Sequence, residues 1–298
     1  MTAAQTPAGT RLNYPAGVSL GLLAALSLST GGVLLRSLES ASGWQVLVYR
    51  SAAFSLLVLV LIIIRNQGRL VEPFRKIGGT GLIVAVALGI GFAAYVFAIL
   101  NTTVANAMFV LSCAPIFAAI IARIVLGEQL SWLVWGIILI ALGGIAIMVS
   151  SDISPGRLYG NLFALLAALT FAITVVLVRK KGDTDMLPAT FLGGILAFGL
   201  AVYLAEGLVL SNNDVAVSLL LGTVQVGIGF ICLTYAPRFI LAAEVTLLTL
   251  LEPVLAPIWV WLVYNEVPST ATLYGGALVM ACIVAFAVVA LMEQRKRL

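Results

Sequence analysis

The chain has 298 residues, 62% hydrophobic and 9% charged, with a formal net charge of +4. Soluble domains carry about 45–50% apolar and about 25% charged residues, so a water-soluble core is excluded. There is no histidine, no C-x-x-C pair among Cys113, Cys232 and Cys282, and no G-x-x-x-x-G-K-[ST] loop. Histidine acid–base catalysis, Ser/His triads, histidine or thiolate metal centres and an in-chain ATPase are therefore excluded, and no metal or cofactor is expected.

A hydrocarbon layer of about 30 Å is crossed by about 20 helical residues. In chain order, apolar stretches between polar breaks predict helices at 16–36, 44–64, 78–100, 104–125, 132–149, 158–178, 187–208, 215–235, 240–263 and 272–292. The predicted fold class is all-α integral membrane with ten transmembrane helices. The polar breaks, of which Arg65 to Ile77 and Arg179 to Met186 are the longest, are too short for a folded domain. Function must reside in the spans.

With the N-terminus inside, thirteen basic residues fall on the cytoplasmic side, two outside (Arg36 and Arg157) and one, Arg50, within a span. This positive-inside bias predicts an inner-membrane protein with both termini cytoplasmic. It also accounts for the net charge without a nucleic-acid partner. Trp44, Tyr159, Trp259, Trp261, Tyr264, Tyr274, Trp132 and Trp135 fall near span ends, as aromatic belts do.

The halves resemble each other. Leu22-Leu23-Ala24-Ala25-Leu26-Ser27 matches Leu165-Leu166-Ala167-Ala168-Leu169-Thr170 at an offset of 143, which also takes Arg36 to Arg179. An offset of 138 aligns Ala105, Pro115, Ala118 and Glu128 with Ala243, Pro253, Ala256 and Glu266. Two five-helix repeats, 1–150 and 151–298, are expected. An odd number of spans per repeat inserts the second upside down, the arrangement that lets a central site alternate between the two sides.

Leu251-Glu252-Pro253-Val254-Leu255-Ala256-Pro257 followed by Asn265-Glu266, with Ala114-Pro115-Ile116-Phe117-Ala118 followed by Gly127-Glu128, resembles the EamA-type ten-helix permeases of the drug/metabolite transporter superfamily. In overall similarity the chain is most like bacterial aromatic amino-acid exporters. The resemblance implies outward transport of small metabolites, amino acids among them. The glutamate before the proline is present as Glu252 but replaced by Ala114 in the first half.

Pro115 and Pro253 each free a backbone carbonyl one turn earlier, which is either repaired by a neighbouring helix as a simple kink or turned toward a cavity. Glu252 sits near mid-span, where an ionisable group costs about 2–3 kcal/mol. It can be protonated, bond freed backbone, pair with Arg50, or bind substrate. Ser27, Thr170, Gln225 and Thr249 lie deep enough to line a substrate cavity, although hydroxyls also bond to their own helix. Tyr95 and Phe171 offer stacking surface or simple packing. Asn106 and Glu244, equivalent by the 138 offset, lie near opposite membrane faces and are candidates for outer and inner gates or for helix caps. The rival readings are a proton-coupled antiporter using Glu252 or Glu244 and, from another class, a membrane enzyme. Absence of histidine and of paired carboxylates weakens the enzyme.

Overall fold

The computed structural model describes residues 14–102, 104–149, 158–182, 184–265, 267 and 270–295, and every regular element among them is helical. The first span is α1 (Tyr14–Ser29) and α2 (Gly31–Arg36), interrupted at Thr30, and the second is α3 (Gly43–Arg65). Ser42 starts α3 with a capping box, its hydroxyl accepting from the Gln45 amide while the Gln45 side chain accepts from the Ser42 amide. α4 (Val71–Asn101) bends at Gly78, whose φ of 58° a side chain would strain, so the spanning part begins beyond it.

α5 (Val104–Leu111) and α6 (Ala114–Leu126) form the fourth span, α7 (Trp132–Val149) the fifth, α8 (Leu158–Lys180) the sixth and α9 (Leu187–Leu204) the seventh. The eighth passes from α10 (Asn212–Leu220) through a π-helical stretch, Leu221–Ile228, into α11 (Gly229–Tyr235). α12 (Ala242–Leu248) and α13 (Leu251–Tyr264) make the ninth, and α14 (Thr270–Arg295) the tenth. Eight of these spans are long and apolar enough to cross a membrane, and shorter apolar helices at Trp132–Ile147 and Thr270–Phe286 complete the ten. Leu56, Ile64, Leu82, Ile83, Leu139, Ile140 and Val284 are exposed around the bundle. Such surfaces are stable against lipid and not against water. The chain is a multi-pass membrane protein.

α4 packs along α8 and α9, α3 along α9, α6 along α8, and α7 along α14. The α4–α8 crossing is close: a Cβ on Gly91 would sit 2.7 Å from the Thr170 hydroxyl. Two apolar clusters result. One is centred on α1, α6, α8, α12 and α14, the other on α3, α4 and α9, and Phe230 packs against both.

Where the sequence indicated proline kinks, the helices stop and restart. α5 ends at Leu111 and α6 begins at Ala114; α12 ends at Leu248 and α13 begins at Leu251. Pro115 and Pro253, in the first turn of each restarting helix, cannot donate to the turn before them. Both restarted helices close on a left-handed residue 138 positions apart, Gly127 (φ 69°) and Asn265 (φ 56°).

Candidate functional site

A cavity of about 140 Å³ lies where the broken helices meet α3, α4, α8 and the π-helical stretch. Its wall includes Arg50, Phe92, Tyr95, Met108, Ser112, Thr170, Phe171, Gln225, Phe230, Thr249 and Glu252. The first turn of α13 places Glu252 there, and α3 places Arg50. Gly222 lets the eighth span approach the Arg50 backbone so closely that a Cβ at that position would collide with the Arg50 carbonyl oxygen.

The aromatic wall is ordered edge to face. Phe92 and Phe230 have ring centroids 4.9 Å apart at 81°, and Phe54 and Phe171 join them at 6.2 and 6.3 Å from Phe230. The Arg50 guanidinium carbon stands 5.7 Å from the Phe92 centroid and 6.0 Å from that of Tyr95. Arg50 is 8% exposed. Cation–π attraction offsets part of its desolvation.

The pairing of Arg50 with Glu252 weighed from the sequence does not form. Arg50 lies over the two rings, and among the described residues neither the Arg50 guanidinium nor the Glu252 carboxyl group has a hydrogen-bond or ion-pair partner. Both nonetheless face one cavity, and the Tyr95 hydroxyl is within electrostatic reach of both.

Thr170 and Thr249 line the cavity, with their hydroxyl protons committed to their own helices: Thr170 Oγ1 donates to the Leu166 oxygen at 2.9 Å and Thr249 Oγ1 to the Thr246 oxygen at 2.7 Å. They retain acceptor lone pairs. Gln225 Nε2 reaches the Leu28 oxygen at 3.4 Å, while its buried Oε1 has no partner. Ser27 stands outside the cavity wall. Its hydroxyl bonds across to the carbonyls of Val224 and Gln225 in the π-helical stretch.

Phe230, Met108, Ser112 and Thr174 are among the wall residues that the sequence does not point to. Phe230 lies five positions beyond Gln225, which on a straight α-helix is about 140° around the axis. The wider π turns bring it back toward the same side. A Gly-rich apolar stretch, Gly222 to Gly229, was the one available signal of irregular backbone.

Beyond the cavity, the end of the bundle carrying the 66–70, 127–131 and 181–186 connections is tied together; it is called the basic end below. Arg179 pairs with Glu128 and donates to the carbonyls of Pro237 at 2.8 Å and Ile240 at 2.6 Å. Tyr235 lies between Arg65 and Arg238, whose guanidinium carbons are 5.0 and 4.7 Å from its ring, and donates to Asp185 at 3.2 Å. Glu244, at the same end, accepts from the Leu241 amide at 2.8 Å, the cap weighed against gating. At the opposite end, buried Asp214 accepts from the Glu39 and Ser40 amides at 2.8 and 3.1 Å. The side chain of Asn106 lies outside the described residues.

A sequence profile of the EamA-like transporter family matches residues 15–150 and again 158–288, and the chain belongs to that family. It is 27% identical over 280 residues to the pseudopaline exporter of Pseudomonas aeruginosa, covering 90% of this chain and 94% of that one. An S-adenosylmethionine uptake transporter of Rickettsia prowazekii is 23% identical over 276 residues, covering 90% of each chain. A probable terminal-alkyne amino-acid exporter of Streptantibioticus cattleyicolor is 28% identical over 185 residues, 59% of this chain and 61% of that one. A crystal structure of 20% identity superposes with a TM-score of 0.79 over 95% of this chain and 98% of its own, so the fold is shared.

Proposed function

We propose that this member of the EamA-like transporter family is a secondary transporter that carries small metabolites, amino acids among them, outward across the inner membrane by alternating access. The observation that carries this reading is the pair of interrupted helices, in register by the repeat offset to within one residue, whose breaks meet at one cavity. Irregular backbone at membrane depth is tolerated where it is covered by protein or lines a cavity, and such breaks are where transporters bind cargo.

In this reading residues 1–150 and 151–298 are inverted repeats, and the basic end faces the cytoplasm, as the positive-inside bias requires. The Arg179–Glu128 pair and the Tyr235 cluster then hold the cytoplasmic side closed. Cargo in the cavity touches Tyr95, Phe171, Gln225, Glu252 and the acceptor sides of Thr170 and Thr249. Glu244 and Asn106 sit toward the inner and outer closures.

Purified protein in liposomes loaded with each amino acid in turn should exchange at least one labelled amino acid against its unlabelled form. No exchange of any of the twenty would overturn the amino-acid reading. A second reading, proton-coupled antiport through Glu252, is favoured by one observation, the carboxyl group standing in the cavity without a hydrogen-bond or ion-pair partner among the described residues. An imposed pH gradient should then drive net flux, and Glu252→Gln should abolish that drive; gradient-independent exchange removes this reading and leaves the first.

A further inference from the structure

Among the described residues, the Arg50 guanidinium and the Glu252 carboxyl group line one cavity, come from different halves of the chain and have no hydrogen-bond or ion-pair partner, each other included. We propose that the site recognises its cargo as a zwitterion: the Arg50 guanidinium takes a carboxylate, the Glu252 carboxylate takes an ammonium group, and Phe92, Phe171 and Phe230 face the apolar remainder. This deepens the transport reading above and rests on it.

A buried charge is retained when something offsets its desolvation, and removal of one partner from a buried pair leaves a large unmet cost. Arg50 has only the faces of Phe92 and Tyr95, and a ring quadrupole replaces a small part of what a carboxylate supplies. Glu252 has the amino-terminal turn of α13 and no bonded partner among the described residues. A singly charged cargo would satisfy one group and leave the other exposed to the same low-dielectric cavity. A zwitterion satisfies both, and the cavity with its cargo stays neutral.

Arg50 suits this role because its fork can hold a carboxylate with two parallel hydrogen bonds. Its position is fixed, since the Gly222 crossing leaves the α3 backbone no room to shift toward the eighth span. The cargo class that follows is a free α-amino acid or a metabolite with an intact amino-acid head and a compact apolar tail.

The test uses the full chain in liposomes and the analogue series L-phenylalanine, phenethylamine and 3-phenylpropionate, with L-leucine, isopentylamine and 4-methylpentanoate as a second series. Inhibition of amino-acid exchange is measured for each. Both charges should be required, so each amino acid should compete about tenfold or more better than either of its singly charged analogues. This comparison needs no variant and is independent of whether any substitution folds. Glu252→Gln should lose most of the preference for the amino acid over 3-phenylpropionate, and Arg50→Gln most of the preference over phenethylamine. Equal inhibition by the amino acid and a singly charged analogue overturns the zwitterion site while leaving transport intact. If no amino acid is exchanged, labelled phenethylamine and 3-phenylpropionate are assayed directly; transport of either keeps a transporter and removes the zwitterion site, and transport of none removes both.

Discussion

Replacement of Arg179 by glutamine should open the basic end. The side chains of Arg179 and Glu128 are 7% and 11% exposed, so their pairing is largely removed from water. Arg179 also donates to the carbonyls of Pro237 and Ile240, tying the end of α8 to the turn between the eighth and ninth spans. Breaking a buried pair by removing one member costs about 3–5 kcal/mol, because the remaining charge stays buried and unmet. If the pair exists in only one of two transport states, about 3 kcal/mol is lost from that state alone, and the equilibrium moves roughly 150-fold. The reporter is Ile240→Cys, at a side chain with 0% exposure beside the pair, in a background with Cys113, Cys232 and Cys282 replaced by alanine. Maleimide labelling of that cysteine should be slow in the parent and at least tenfold faster with Arg179→Gln. Glu128→Gln added to Arg179→Gln should recover part of the slow labelling, since it removes the stranded charge. Unchanged labelling with a normal melting temperature would refute the reasoning, and a lowered melting temperature with unchanged labelling would make the pair a structural tie present in both states.

Gly222→Ala should lower thermal stability by about 1–3 kcal/mol through collision with the Arg50 carbonyl, whereas Gly199→Ala, with open space around its position, should be neutral or stabilising in the same melting assay. Asp214→Asn should cost about 1.5–3 kcal/mol, because an amide cannot satisfy the amides of Glu39 and Ser40 and the Ser40 hydroxyl as a carboxylate does; protease sensitivity of the 37–42 connection should rise with it. Glu244→Ala and Asn106→Ala should shift thiol labelling at the two ends in opposite directions if the residues act as gates. Loss of stability without a shift would leave Glu244 as the cap it forms with the Leu241 amide.

Legibility followed period and rarity. The spans were legible because apolar runs of membrane length leave few alternatives, and the breaks because prolines stood at matching positions in the two halves. The αL caps at Gly127 and Asn265 fall on the same offset, and glycine and asparagine are the residues that tolerate that conformation. Six residues nominated for the cavity, Tyr95, Thr170, Phe171, Gln225, Thr249 and Glu252, do line it, because depth along a helix can be counted. Azimuth cannot be counted through a π-helix, which hides Phe230, and the sequence does not show that the Ser27 hydroxyl bonds the Val224 and Gln225 carbonyls rather than standing in the cavity wall. Arg50 was ambiguous for another reason: its long stem could reach the interface as easily as the interior, and its ring contacts are made in three dimensions. Arg179 and Glu128 were legible as topology markers and repeat partners, but not as each other's partner, since 51 residues separate them.

The halves align at offsets of 138 and 143, and the charged groups of the cavity stand where that alignment breaks. At the 138 offset Glu252 is matched by Ala114, which also lines the cavity but brings no charge. At the 143 offset Arg50 is matched by Gly193, where the absence of a side chain lets α9 press against Ala85 and Leu88 of α4. A strictly symmetric chain would place a second carboxylate, at position 114, on the same cavity wall, and like charges around one small cavity repel strongly in low dielectric. Keeping one cation in the first half and one anion in the second removes the repulsion. It also means that any cargo held by both must bridge the halves. In the proposed alternating-access cycle, the binding energy of such a cargo differs between states in which the two halves stand differently, and that difference is what a ligand needs to shift the equilibrium.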